Sequence, residues 1–397
     1  MPRGRKQANI RNYNQQQVIK LISAKSCSCN DIAKALKMSN STIEDIVDEL
    51  SKIGIIKISN TKAPKAVGRS PIYYKLNKDF GCILAVDLIN SKFEICDLCY
   101  GVLLSSNFTI GGSFDIGHRY HLEDIMQIIS QIKASLTSEF LQKWKLRAIC
   151  VATFGKLNIE TGEFVWVSSI DKEINLKQIF TEQFNVPTVV YNDGHLSAIA
   201  ESEFGKLKNK TQNSLYITVG EGIVNTLFID DKIVYGYDYR SGEIGFANCY
   251  SEFVKEYRQL DEIMTIPSIK KNIKRFLENN PNVYSLIRNE ESASNLFKYY
   301  LQEDKVCIDA VLDSANCLGK ILSILINILN CQTIVIAGEV ARFGDRYLNT
   351  INQTINNNLS IKYRVEAEFS SIENSTILGA KIQGVNLAIK SNLRETN

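Results

Sequence analysis

No uninterrupted apolar run in this chain is long enough to cross a bilayer. The longest apolar region, Ile321–Leu329 (ILSILINIL), is about nine residues and is broken by Ser323 and Asn327, against roughly 20 for a spanning helix. The first twelve residues, MPRGRKQANIRN, are basic but lead into no apolar core, so they do not read as a secretory leader. A cysteine framework is missing too. The ten cysteines are scattered and mostly sit in apolar runs, where they behave as small hydrophobes. Cys96-Asp-Leu-Cys99 is a lone CxxC, Cys27 and Cys29 lie in another element, and in a strand positions 96 and 99 face opposite ways. These absences predict a cytoplasmic protein with no membrane span, no metal site and no cofactor. What is present is ordinary globular composition, with 45% hydrophobic and 22% charged residues. At 397 residues the chain is long enough for two or three domains.

A net charge of +3 hides an asymmetry. Residues 1–78 carry 15 Lys/Arg and 5 Asp/Glu, whereas the remainder carries 31 and 38. A basic module on an acidic body points to a polyanion partner for the first segment only. That segment has a helix-turn-helix pattern. Val18, Ile19, Leu21 and Ile22 give a first helix from about Gln15. Ser28 and Asp31 form a capping box ahead of Ile32, Ala33 and Leu36. After the turn KMSN, Ser39 caps a helix with the face Ile43, Ile46, Val47 and Leu50, and Gly54 stops it. GIIKIS and SPIYYKLN then read as strands of a wing with the basic tip Lys62, Lys65 and Arg69. Asn40, Ser41 and Thr42 on the second helix would face bases, with Lys65 and Arg69 of the wing and Arg11 of the N-terminal arm on the phosphates or in a minor groove. Glu44, Asp45, Asp48 and Glu49 on that same helix repel phosphate, so affinity is expected mainly from wing, arm and dimerisation. A winged helix serving protein contacts is the competing reading.

From Phe80 the pattern becomes α/β and occurs twice. CILAVDL, KFEICDLCY and GVLLSSNFT, a helix over 122–140 and the strand LRAICVATFG are followed later by SLYITVG, GIVNTLFID and DKIVYG, a helix over about 306–329 and the strand TIVIAGE. This repeat predicts two α/β lobes with a cleft between them. The expected domains are 1–78, 79–200 and 201–397, with a helical insertion over about 250–303. Apolar Val186–Tyr191 leads into YNDGHLSAIAESEFG, which puts Asp193 at a strand's C-terminal edge, a common place for a base or a ligand contact.

GRSPIYYKLN, ILAVDL, YNDGHLSAIAESEFG, YGYDYRSGEIG and QTIVIAGEV, in that order over nearly the whole chain, resemble the ROK family (repressors, open reading frames, kinases). The resemblance implies a two-lobed, ribonuclease H-like body of the sugar-kinase/actin type. With a winged helix in front, it implies the arrangement of that family's transcriptional repressors. By position it assigns sugar contacts to Asn192, Asp193 and Glu243, with Gly155 in a turn of the first lobe and Ser169 near a sugar-contacting Asn. The family's phosphate turns are altered. Asp87-Leu88-Ile89-Asn90-Ser91 keeps the Asp without the glycines, Gly220-Glu221-Gly222-Ile223-Val224-Asn225-Thr226 places an acid where phosphate should lie, and Gly338-Glu339 replaces a glycine pair. Such losses argue against phosphoryl transfer, which depends on positioning and electrostatics. The family's structural zinc needs a His after GEIG and a cysteine cluster; Phe246 and a single Cys249 stand there instead. The expectation is a non-enzymatic regulator, a repressor of carbohydrate genes, working with operator DNA and a sugar effector as a homodimer or homotetramer. Its rivals are an active sugar kinase with a DNA module and a DNA binder that ignores ligands.

Overall fold

The computed structural model describes residues 3–59, 71–110, 119–167, 170–210, 212–288, 295–359 and 364–394, and the backbone alone for 3–9 and 394. Packing divides the chain into two units, 1–191 with 380–397, and 192–379.

The first unit opens with helix α1 (Arg3–Ala24), which begins twelve residues before the predicted Gln15. Strand β1 (Cys27–Ser28), α2 (Cys29–Leu36) and α3 (Asn40–Ile53) follow. Ser28 and Asp31 make the expected reciprocal cap, and the Ser39 hydroxyl accepts from the Thr42 N–H. Gly54 ends α3 at φ +87°, and its N–H donates to the carbonyl of Leu50. β2 (Ile56–Ile58) and β3 (Tyr73–Leu76) pair antiparallel with Ile56 opposite Leu76, and β1 pairs on the other side of β3. This is the winged helix-turn-helix that the capping and periodicity predict.

Next come β4 (Cys82–Asp87), β5 (Lys92–Asp97), β6 (Val102–Asn107), α4 (Leu122–Ser135), α5 (Ser138–Lys143), β7 (Leu146–Thr153), β8 (Lys156–Leu157), β9 (Phe164–Trp166), α6 (Leu176–Phe184) and β10 (Thr188–Asn192). The single helix expected over 122–140 is broken at Leu136, because Thr137 caps a new helix by accepting from the Phe140 N–H. The main sheet runs β10-β7-β4-β5-β6. One face packs Leu84, Val86, Ile149 and Val151 against Ile125, Ile128, Ile129 and Phe180 of α4 and α6. Its other face, with Ile83, Cys96 and Ala148, shares one apolar core with Val18, Ile22, Ile32, Ile43 and Leu50 of the winged helix. The DNA-binding-type module is therefore built onto the lobe. Phe80, at the joint, is covered by the Arg147 guanidinium 4.0 Å from its ring centroid.

The second unit starts with α7 (Asp193–Phe204), then β11 (Asn213–Val219), β12 (Ile223–Ile229), β13 (Lys232–Ile233), β14 (Asn248–Ser251), β15 (Glu256–Gln259), α8 (Asp261–Met264), α9 (Ile266–Asn279), α10 (Leu296–Leu301), α11 (Lys305–Leu329), β16 (Thr333–Ala337), α12 (Gly344–Asn358) and β17 (Ala367–Phe369). Its sheet runs β13-β12-β11-β16-β17. The alternation along β11 sends Leu215, Ile217 and Val219 to the side of α8–α12, and Tyr216 to the core that includes Ala198 of α7. The insertion is helical after its start, but a hairpin precedes the helices, with Tyr250 opposite Tyr257. The last helix, α13 (Ser375–Arg394), begins in the second unit and ends in the first.

Among the described residues α11 alone is long and apolar enough, by composition, to cross a membrane, and more than half of its most apolar window is buried within the protein. Eight cysteines are buried; Cys96 is among them and Cys99 is exposed. No group of three or more His, Cys, Asp or Glu side chains among the described residues could hold a metal ion.

Candidate effector and DNA sites

The Asn-Asp and Gly-Glu motifs are seated on consecutive residues of β12. Gly194 comes so close to that strand that a Cβ would stand 2.2 Å from Val224 Cγ1. Gly242, at φ +87°, would place a Cβ 2.0 Å from the Asn225 carbonyl oxygen. Only glycine satisfies both approaches, and each sets its acidic neighbour, Asp193 or Glu243, at a fixed place on the sheet edge. Asn192 is buried, and its side-chain oxygen caps α7 by accepting from the Gly194 N–H at 3.0 Å. Asp193 begins α7 and is partly buried. Glu243 is partly buried and makes no capping bond to the short 3₁₀ turn that follows it.

Two further acceptors lie beside Glu243. Asn225 is 4% exposed, and its Oδ1 has no hydrogen-bond partner. The carboxylate oxygens of Asp261, at the start of α8, stand 2.6 Å from where a Gly245 Cβ would be. Its Oδ1 is buried and unpartnered. Burial first, and the Glu243 charge second, hold the Asp261 carboxyl above its ordinary value. Unpaired buried acceptors require donors, and a polyol supplies several. Sequence reading passes over Asp261, because an acid in a helix's first turn is an ordinary dipole contact; the glycine that admits it, Gly245, was the signal. His195 is buried, with its ring edge-on to Tyr235 at 5.1 Å. Burial pushes the Tyr235 hydroxyl up to about 12.

Gly155 lies in the first unit at φ +84°, where a Cβ would meet the Trp166 carbonyl oxygen at 2.7 Å. It serves a tight turn after β7. Ser169 lies outside the described residues. Glu201, of the motif AESEFG, is fully buried: Oε1 accepts from the Lys206 N–H at 2.6 Å and Oε2 from the Ser370 hydroxyl at 2.6 Å. That residue builds the fold.

The turns at the positions of the phosphate loops hold hydrogen bonds within themselves. Asp87 Oδ1 accepts from the N–H groups of Ile89 and Asn90, each at 3.0 Å, and Oδ2 from the Asn90 amide at 2.9 Å. In the second unit the Gly220 N–H donates to the Gly222 carbonyl at 3.1 Å. Glu339 Oε1 comes to 3.4 Å from the place of a Gly220 Cβ. The zinc loop of the resemblance has no counterpart: Phe246 is exposed, and Cys249 is buried with the Cys317 thiol, both directed at the Tyr250 carbonyl. Two thiols and a phenyl ring supply at most two of the four ligands of a tetrahedral site.

On the winged helix, Asn40, Ser41 and Thr42 are exposed in the first turn of α3. The Ser39 hydroxyl lies 2.7 Å from that of Thr42 and 3.1 Å from that of Ser41. Arg11 pairs with Glu49 at 2.5 Å, which ties α1 to α3 and neutralises one of the acids on that helix. Lys62, Lys65 and Arg69 lie outside the described residues.

The ROK family model matches residues 110–382. This chain belongs to the ROK family. A xylose repressor of Caldicellulosiruptor bescii is 22% identical over 392 residues, covering 93% of this chain and 94% of that protein. Among solved structures, a ROK family transcriptional regulator, a homologue of the E. coli MLC protein, superposes with a TM-score of 0.81 at 20% identity, covering 97% of this chain and 99% of that one. A ROK family glucokinase from Streptomyces griseus, solved with glucose and AMPPNP, reaches a TM-score of 0.59 at 17% identity and covers 77% of this chain and 100% of its own. The two-lobed kinase-type body expected from the motifs is thus the fold of the chain, with the winged helix lying outside the ROK match.

Proposed function

We propose that this ROK protein is a sugar-responsive transcriptional repressor of carbohydrate-utilisation genes that binds its effector without phosphorylating it. One observation carries the reading. The sugar-side acceptors stand on a glycine-fitted sheet edge, while the backbone N–H groups of Ile89, Asn90 and Gly220 donate within their own turns. Asn192, Asp193 and Glu243, with Asn225 and Asp261 beside Glu243, accept hydrogen bonds from ring hydroxyls. Asn40, Ser41 and Thr42 enter the major groove. Lys65 and Arg69 are the wing's contacts to DNA, and Arg11 supports α3. A homodimer or homotetramer reads a palindromic operator. A xylose repressor as a full-length relative makes D-xylose the first effector to try.

The test is fluorescence anisotropy of labelled duplex from the gene's own upstream region, at fixed salt because phosphate contacts are salt-dependent. D-xylose, D-glucose and glucose 6-phosphate are the probes, with ATP turnover followed in parallel. A sugar that changes DNA affinity in the parent and not in Asp193→Ala supports the reading. Sugar-dependent ATP turnover would instead establish the kinase, and specific DNA binding indifferent to every sugar would leave a constitutive DNA binder.

A further inference from the structure

One helix belongs to both packed units. α13 is continuous from Ser375 to Arg394, and the division falls between its Gly379 and Ala380. At 1.5 Å per residue its length is about 30 Å. Its first turns are held on α7, the helix that opens with Asp193. The Thr376 hydroxyl lies 3.0 Å from that of Ser197. Gly379 lets the helices meet backbone to backbone, for a Cβ there would stand 2.0 Å from the Leu196 carbonyl oxygen. Leu196 is within one turn of Asp193.

Further along, in the first unit, Gly384 brings α13 onto the sheet, where a Cβ would stand 2.1 Å from Ile83 Cγ2. Buried Lys381 pairs with Glu94 at 2.7 Å. The last turns are part of the winged-helix core itself: Val385, Ala388, Ile389 and Leu393 pack in one cluster with Val18, Ile22, Ile43 and Leu50. Asn392 accepts from Arg147 at 3.2 Å, and Arg147 also donates to the Phe80 carbonyl at 3.0 Å.

We propose that α13 is the relay by which events at the first turn of α7 reach the DNA-binding module. A close-packed helix gripped through glycines has no slack, so a shift at one end must be repacked at the other. The signal's chemical origin rests on the sugar reading above; the mechanical link does not. It requires only that a lesion at the α7 end be felt in α1 and α3, whose core residues pack on the other end of α13.

Hydrogen exchange with mass spectrometry on the full chain, without sugar or DNA, tests this. Thr376→Val and Ser197→Ala each remove the same hydroxyl pair, Gly379→Ala forces the backbones apart, and Ile351→Val perturbs the core of α12 as a control. The first three are expected to speed exchange in 385–393, 15–22 and 43–50 by roughly five- to tenfold, and the control to leave those segments at the parent rate. Faster exchange near α7 with α1 and α3 unchanged overturns the relay, as does an equal effect from Ile351→Val. If Gly379→Ala does not fold, the two hydroxyl variants decide the matter. Because sugar is absent, a failed sugar response in the anisotropy assay would refute the effector and not the relay.

Discussion

Asp261→Asn should make the ligand-free protein more stable and its sugar response weaker. The carboxylate has a buried, unpartnered oxygen and is disfavoured by burial and by the Glu243 charge. An unsatisfied buried acceptor costs about 1–3 kcal/mol. Asp261 is only partly buried, so the lower end, about 1 kcal/mol, is the better figure. Opposing it is the helix-dipole benefit of an acid in the first turn of α8, roughly 0.3 kcal/mol for so short a helix. Asparagine removes the repulsion from Glu243. The net gain should raise the melting temperature by about 2 °C for a unit of this size. The sign against pH follows from the raised folded-state value. The folded protein binds this proton more tightly than the unfolded chain, so ionisation destabilises the parent as pH rises from about 4 through the folded-state pKa. The advantage of Asp261→Asn therefore vanishes below about pH 4 and is complete above the folded value. Differential scanning fluorimetry from pH 4 to 8 reads this, and anisotropy reads the weakened response. A variant less stable than the parent at pH 7.5 would mean that the carboxylate is a structural cap, and its assignment to the effector site would fail.

Gln15 is fully buried with both amide atoms unpartnered, so Gln15→Leu should raise the melting temperature of the first unit by about 2–4 °C; a fall would show that the amide is bonded in solution. Glu201→Ala removes both bonds that hold Lys206 and Ser370 and should cost about 2–3 kcal/mol in urea unfolding while leaving operator affinity unchanged well below the transition. His121 is raised above its ordinary value by the hydrogen bond and charge of Asp171, 2.7 Å away. Its imidazole should titrate by NMR above about 6.5 and fall back in Asp171→Asn. Its stabilising contribution is present below about 6.5 and lost as pH rises through the folded value.

Legibility in the sequence followed how local the signal was. The helix-turn-helix could be read because each part carries its own chemistry: a capping box at Ser28 and Asp31, a cap at Ser39 and a left-handed stop at Gly54. The central strands of the two sheets could be read from near-continuous apolar runs such as Cys82–Val86 and Ile334–Ala337, which are buried on both faces. The break at Thr137 was missed because the apolar pattern runs through it, and a single threonine hydroxyl decides where the helix restarts. The hairpin before Asp261 was missed because its outer residues are Glu256, Tyr257 and Arg258, a polar run without the contrast that marks a half-buried strand. The pairing of Arg11 with Glu49 was not legible, because nothing local ties residue 11 to a partner 38 residues on. The joint core was invisible for the same reason: Ile22, Ile83 and Ile389 become neighbours only in the fold.

That joint core bears on how such a protein would work. A ligand shifts a two-state protein only by the difference in its affinity for the two states. A body that phosphorylated its sugar would discharge the signal at each turnover, whereas one that only binds it would hold the signal for as long as the sugar stays bound. Equally, a winged helix on a loose tether would average any movement away over its linker. Here its helices share buried side chains with β4, β7 and α13, so the module cannot reorient without opening a core that includes Leu50, Ile83 and Leu393. On the proposed reading, the retained acceptors, the altered phosphate turns and the shared core are three parts of one requirement: the binding energy of a sugar has to be kept, and then delivered to α3.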